Sequence, residues 1–143
     1  MGNSQTIPYV NFEDMQTMIK NPNNYFIINT LPTNEQSCLI LNTISANDEV
    51  IIINKCLKSN ILINIVIYGK NCNDFTIKIK YEHLLKLGFT NVFIYNGGLF
   101  EWLLLQDIYG FKLFPTNIIE HDILKYKSPA THIIPYTQRI TNC

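Results

Sequence analysis

Cys72 is the side chain of this sequence that joins nucleophilic chemistry to a setting able to support it. It sits inside Gly69-Lys-Asn-Cys-Asn-Asp-Phe-Thr76, a short polar loop between two apolar stretches. A cysteine attacks as the thiolate. Backbone N–H groups curling towards one point, a helix N-terminus and a nearby cation all favour that form. Lys70 supplies the cation, and Asp74 opposes it. Asn71, Asn73 and Thr76 complete the candidate binding loop that Gly69 opens. The competing reading is a loop thiol of ordinary reactivity that turns nothing over.

The remaining chemistry-bearing residues fit simpler roles. Cys38 and Cys56 fall on apolar stripes and read as small core residues, while Cys143 is the last residue. No pair of cysteines has CxxC or other metal spacing, so reduced thiols are expected. His121 and His132 lie far apart with no third ligand, and His83 reads as a solvated helix residue. Neither a metal nor another cofactor is expected. Met1-Gly-Asn-Ser-Gln-Thr6 fits the pattern in which Gly2, freed by removal of Met1, carries a myristoyl chain. A single acyl chain binds membrane marginally, and the first dozen residues hold no Lys, Arg or Cys as a second signal. Any such membrane contact is reversible, or completed by a protein partner.

The elements that must position the loop follow from hydrophobic periodicity. Ile61 to Tyr68 is apolar and β-branched at nearly every position, the signature of a strand buried on both faces. After the loop, Ile77, Tyr81, Leu84 and Leu85 recur at helical spacing from a start at Thr76, and Gly88 stands where that helix stops. Asn91-Val-Phe-Ile-Tyr95 is a second buried strand, followed by Gly97-Gly98 and an apolar helix containing Trp102. Strand, loop, helix and strand make a βαβ unit whose helix N-terminus faces the loop.

Upstream, Asn11 caps a helix reaching Met18 or Lys20, with Glu13 and Asp14 in its first turn. Asn21-Pro-Asn-Asn24 breaks it, and Tyr25 to Ile28 is the next buried strand. Leu31 to Ser37 reads as a polar loop and Cys38 to Leu41 as a short extended run. A helix begins around Asn47 and carries Val50, Ile52, Ile53, Cys56 and Leu57 as an apolar stripe to Lys58. The alternation continues to Gln106, so the expected class is α/β, a parallel sheet covered on both faces. Beyond Pro115 the pattern gives way to an extended tail, with one helical turn expected at Ile118 to Leu124. The expected organisation is an arm over 1–8, a domain over 9–115 and an extension over 116–143.

The bulk numbers agree with one small domain. The chain has 143 residues, 47% of them hydrophobic and 12% aromatic, enough for a packed core. Eleven basic and eleven acidic side chains cancel, which removes the long-range field that nucleic acid binding uses. No apolar run is long enough to cross a bilayer, and the N-terminus lacks a secretory apolar region, so a cytoplasmic setting is expected.

Leu84 to Trp102, with Leu87-Gly-Phe89, a strand, Gly97-Gly98 and then Trp102 four residues later, resembles the second half of a rhodanese-like domain. Phe26-Ile-Ile-Asn-Thr30 resembles that family's second strand and Ile40-Leu-Asn-Thr-Ile44 its short third one. The resemblance runs from Tyr9 to Pro115. It implies a three-layer domain with a central parallel sheet of about five strands. In active members a cysteine opening the loop takes sulfane sulfur from a donor such as thiosulfate, holds it as a persulfide, and passes it on. Here the nucleophile's place is Gly69 and the place of the loop's terminal cation is Thr76. The loop is longer than usual, Asp74 adds a negative charge, and Asn29 and Leu31 replace the Asp and Arg that often follow the second strand. The expectation is a rhodanese-like binding or regulatory domain without sulfurtransferase activity. The alternative is a divergent sulfurtransferase with Cys72 as nucleophile.

Overall fold

Apolar residues on alternate sides of each strand require cover on both faces of a sheet, and helices supply it. The computed structural model describes residues 6–130. Its elements run β1 (Tyr9–Val10), α1 (Phe12–Ile19), β2 (Tyr25–Asn29), α2 (Ala46–Ser59), β3 (Asn64–Tyr68), α3 (Phe75–Lys86), β4 (Asn91–Tyr95) and α4 (Gly98–Tyr109), with 3-10 turns at Thr33–Glu35 and Ile123–Tyr126. The strands form one parallel sheet in the order β1-β4-β3-β2.

Val66 and Tyr68 of β3 face one core with Met15 and Met18 of α1 and Leu99, Trp102 and Leu103 of α4. Ile65 and Ile67, one residue out of phase, face the other with Ile53 and Cys56 of α2 and Ile77, Tyr81 and Leu84 of α3. Asn11 caps α1 in a reciprocal box with Asp14: each side chain accepts the other's backbone N–H.

The sheet has four strands among the described residues, not about five. At Ile40 to Ile44, where a third strand was expected, pairing with β2 is reduced to a bridge between Ile27 and Thr43. Asn42 takes a left-handed conformation (φ 68°) that ends any extended run there. Ile40 pairs instead in antiparallel fashion with Thr116. β3 starts at Asn64, opposite Tyr25 in register, so Ile61 and Leu62 stay exposed ahead of it. In α2 only Ile53 and Cys56 of the anticipated stripe are buried, and Val50 and Leu57 face outward. Two-residue β1 is too short to leave a periodic signal.

The segment after Pro115 packs on the domain. Thr116 and Tyr126 are buried, and the 3-10 turn at Ile123–Tyr126 overlaps only the end of the turn expected at Ile118 to Leu124. Trp102 Nε1 donates to the Pro115 carbonyl at 3.1 Å, and Leu41 N donates to the same oxygen, so this segment is stitched to α4 and to the Ile40 bridge.

Candidate functional site

The loop leaves β3 at Gly69, crosses the C-terminal end of the sheet and enters α3 at Phe75. Loops at this end of a parallel sheet are the usual place for ligands in α/β folds. Two backbone contacts from α4 hold its first half: Leu99 N–H donates to the Gly69 carbonyl at 2.9 Å, and Phe100 N–H donates to the Lys70 carbonyl at 2.8 Å. The approach is close enough that Gly98, at φ 69°, admits no side chain. A β-carbon there lies 2.8 Å from both Asn71 N and Gly69 O.

The interior of the loop is filled by Asp74. This residue caps α3, and its two carboxylate oxygens divide the inward N–H groups between them. Oδ2 accepts from Lys70 N at 3.0 Å, and Oδ1 accepts from Thr76 N at 3.1 Å and from the Thr76 hydroxyl at 2.5 Å. The Thr76 and Thr30 hydroxyls are 2.9 Å apart, which ties the start of α3 to the end of β2. A β-carbon placed on Gly69 meets Asp74 Oδ2 at 2.5 Å, Ile77 Cγ1 at 2.8 Å and Thr30 Oγ1 at 2.9 Å. Where the resemblance expects a nucleophile, the chain holds its own carboxylate.

Lys70 does not face that carboxylate. Its Nζ lies 2.8 Å from Glu35 Oε2, an ion pair rather than an aligned hydrogen bond, because that oxygen accepts no hydrogen bond of proper geometry. The cation that would favour a thiolate is thus held by the turn after β2. Cys72 is exposed and lines the two clefts that flank the loop, one with Tyr9 and Phe75, the other with Phe100 and Glu101.

Asn71 is the buried residue of the loop and a junction with the segment after α4. Its Nδ2 donates to the Tyr126 carbonyl at 2.8 Å, and its Oδ1 accepts from Asn73 N and from Ser128 Oγ. Asn73 Nδ2 also reaches Ser128 Oγ, at 3.0 Å. Gly69, Lys70, Asn71, Cys72, Asn73, Asp74 and Thr76 therefore share one loop, in which the side chains of Asn71 and Asp74 accept loop N–H groups and Thr76 donates to Asp74. Sequence reasoning missed Glu35, Thr30, Tyr126 and Ser128. Asp74 as a helix cap was open to reading, since Asp is a favoured cap just before an apolar-periodic segment. Asn29, in place of the family's Asp, turns its Oδ1 to the Leu31 N–H at 3.0 Å. Gly2, His132 and Cys143 lie outside the described residues. Among the described residues no group of three or more His, Cys, Asp or Glu side chains is placed to hold a metal, and no helix is long and apolar enough to cross a membrane.

No protein-family model and no curated protein matches this chain. Solved structures do. The rhodanese-like domain of the Alr3790 protein from Anabaena sp. is 18% identical with a TM-score of 0.56, covering 91% of this chain and 90% of that one. The single-domain sulfurtransferase RDL2 of Saccharomyces cerevisiae is 14% identical with a TM-score of 0.52, over 76% of this chain and 98% of that one. A thiosulfate sulfurtransferase from Pseudomonas aeruginosa gives 15% identity and a TM-score of 0.56, over 84% of this chain and 23% of that larger one. Identities this low speak for architecture alone: the chain carries the rhodanese-like fold, strongly diverged in sequence.

Proposed function

We propose that this chain is a rhodanese-fold binding or regulatory module that has lost sulfur transfer. The observation that carries the reading is the Asp74 carboxylate, which takes up the N–H groups of Lys70 and Thr76 beside Gly69. A thiosulfate or persulfide anion needs those donors and meets a like charge in their place. The loop then offers a protein partner the exposed side chains of Cys72, Asn73 and Phe75. A myristoyl chain on Gly2 would add reversible contact with the cytoplasmic face of a membrane.

The test is thiosulfate:cyanide sulfurtransferase activity, read alongside mass spectrometry for one added sulfur atom on Cys72. No turnover and no adduct are expected. Activity that disappears in Cys72→Ser overturns the reading and favours the second one, a divergent sulfurtransferase. That alternative draws on a single observation, the exposure of Cys72 between two clefts. The lipid is tested separately by intact mass after co-expression with an N-myristoyltransferase. Acyl mass lost in Gly2→Ala supports it, and an unmodified wild-type chain removes it.

A further inference from the structure

We propose that Ser128 is a phosphorylation site for a proline-directed protein kinase, and that the phosphate detaches residues 126–128 from the Asn71 loop. Ser128 is followed by Pro129, the sole serine- or threonine-proline step in the sequence. Proline lacks a backbone N–H and holds the residue before it in extended conformation. Lys127, the residue ahead of Ser128, is extended as well, at φ −67° and ψ 158°, whereas the constraint from Pro129 falls on Ser128 itself. An extended serine-proline segment is what this class of kinase takes into its cleft. The flanking side chains of Lys127, Pro129 and Ala130 are exposed, and Ser128 is half-buried.

The hydroxyl stands at the joint between this segment and the loop. Its Oγ donates to Asn71 Oδ1 at 3.1 Å and accepts from Asn73 Nδ2 at 3.0 Å. In the transfer, Oγ bonds to the γ-phosphorus of ATP, the bond to ADP breaks, and the hydroxyl proton passes to the kinase. The product carries acceptor oxygens and a charge near −2. Asn71 Oδ1, itself an acceptor, loses the Ser128 donor and faces that charge. Asn71 is also what orders the loop: its Oδ1 accepts from Asn73 N, and its carbonyl accepts from Asp74 N. Freeing Asn71 from Ser128 and from the Tyr126 carbonyl loosens both N–H groups and uncovers the buried amide side chain. The switch is indifferent to whether the loop turns over sulfur.

The full-length chain is incubated with a cyclin-dependent kinase and magnesium ATP, then mapped by tandem mass spectrometry and by amide hydrogen exchange. One phosphate on Ser128, absent in Ser128→Ala, is expected. Exchange at the Asn73 and Asp74 amides should rise about tenfold in the phosphorylated chain. Ser128→Ala removes the same hydrogen bonds without adding charge, and the phosphorylated chain must exchange faster than it does. Failure to phosphorylate Ser128 overturns the proposal, as does phosphorylation that leaves those amides no faster than in Ser128→Ala.

Discussion

The Oδ2 atom of Asp74 lies 2.5 Å from where a β-carbon on Gly69 would stand, so the two positions cannot both carry ordinary side chains in this loop. Restoring a thiol by Gly69→Cys is therefore expected to overpack the loop, costing ~1–3 kcal/mol, and to yield no sulfurtransferase activity. Asp74→Ala alone loses a helix cap, worth ~1 kcal/mol. Because the carboxylate is the nearest obstacle, the double variant should cost less than the sum of the singles, by at least ~0.5 kcal/mol. Urea titrations of the four proteins close the cycle, and strict additivity would reject the steric coupling.

Gly98 and Gly88 both sit at positive φ but differ in what surrounds them. A β-carbon at Gly98 meets backbone atoms of Gly69, Lys70 and Asn71 within 2.9 Å, whereas at Gly88 nothing lies within 4 Å. Gly88→Ala should cost only the backbone conformation, ~1–2 kcal/mol, while Gly98→Ala adds a clash that rigid backbone cannot relieve. Thermal melts should place Gly98→Ala well below Gly88→Ala. Equal melting temperatures would mean that α4 does not press on the loop.

Most of this architecture was legible because buried strands and amphipathic helices repeat. The run Ile65-Val-Ile-Tyr68 and the Ile77, Tyr81, Leu84 spacing announce their elements in any context. The loop's departure from the pattern of active sulfurtransferases was legible in Gly69 and Thr76. The role of Asp74 was not, because it reads as a mere opposing charge until its oxygens are seen to hold Lys70 N and Thr76 N. The Glu35–Lys70 pair and the Asn71–Ser128 joint span 35 and 57 residues, and no periodic pattern encodes such contacts. The segment after Pro115 read as a tail because a strap held by single hydrogen bonds needs no repeat.

The thiols should separate by reactivity. Cys72 is exposed, whereas Cys38 and Cys56 are buried; burial also pushes the Cys38 thiol above its ordinary range. Brief alkylation of the native chain at neutral pH, followed by peptide mapping, should label Cys72 and spare Cys38 and Cys56 until denaturant is added. Native labelling of Cys38 at the Cys72 rate would contradict the packing of Ile40, Thr116 and their neighbours.

Stability should decline at alkaline pH. Burial, before any other cause, raises Tyr68 and Tyr95 above the ordinary value of 10.0, and the charge of Glu101 adds to this at Tyr95. For these acids the folded chain keeps its proton where the unfolded chain has lost it. The contribution is full below pH 10 and is lost as the pH climbs towards the folded values, at up to ~1.4 kcal/mol per pH unit for each group. Absorbance at the phenolate band should show these two tyrosines ionising only together with unfolding. Their titration in the intact fold would show that water reaches them.

The same two tyrosines should respond oppositely to loss of their hydroxyls. Tyr68 OH accepts from Ile40 N at 3.1 Å and lies 2.8 Å from Thr43 Oγ1, so Tyr68→Phe strands a buried N–H and should cost ~1–3 kcal/mol. Tyr95 OH is buried without a hydrogen bond of proper geometry among the described residues, and its ring packs edge-on against Trp102. Tyr95→Phe keeps that ring contact and removes an unsatisfied hydroxyl, so it should be neutral or stabilising by up to ~1 kcal/mol. Denaturation midpoints of the two variants decide the matter. A Tyr95→Phe chain as unstable as Tyr68→Phe would mean that the Tyr95 hydroxyl has a partner, with Glu101, one turn into α4, the first residue to test.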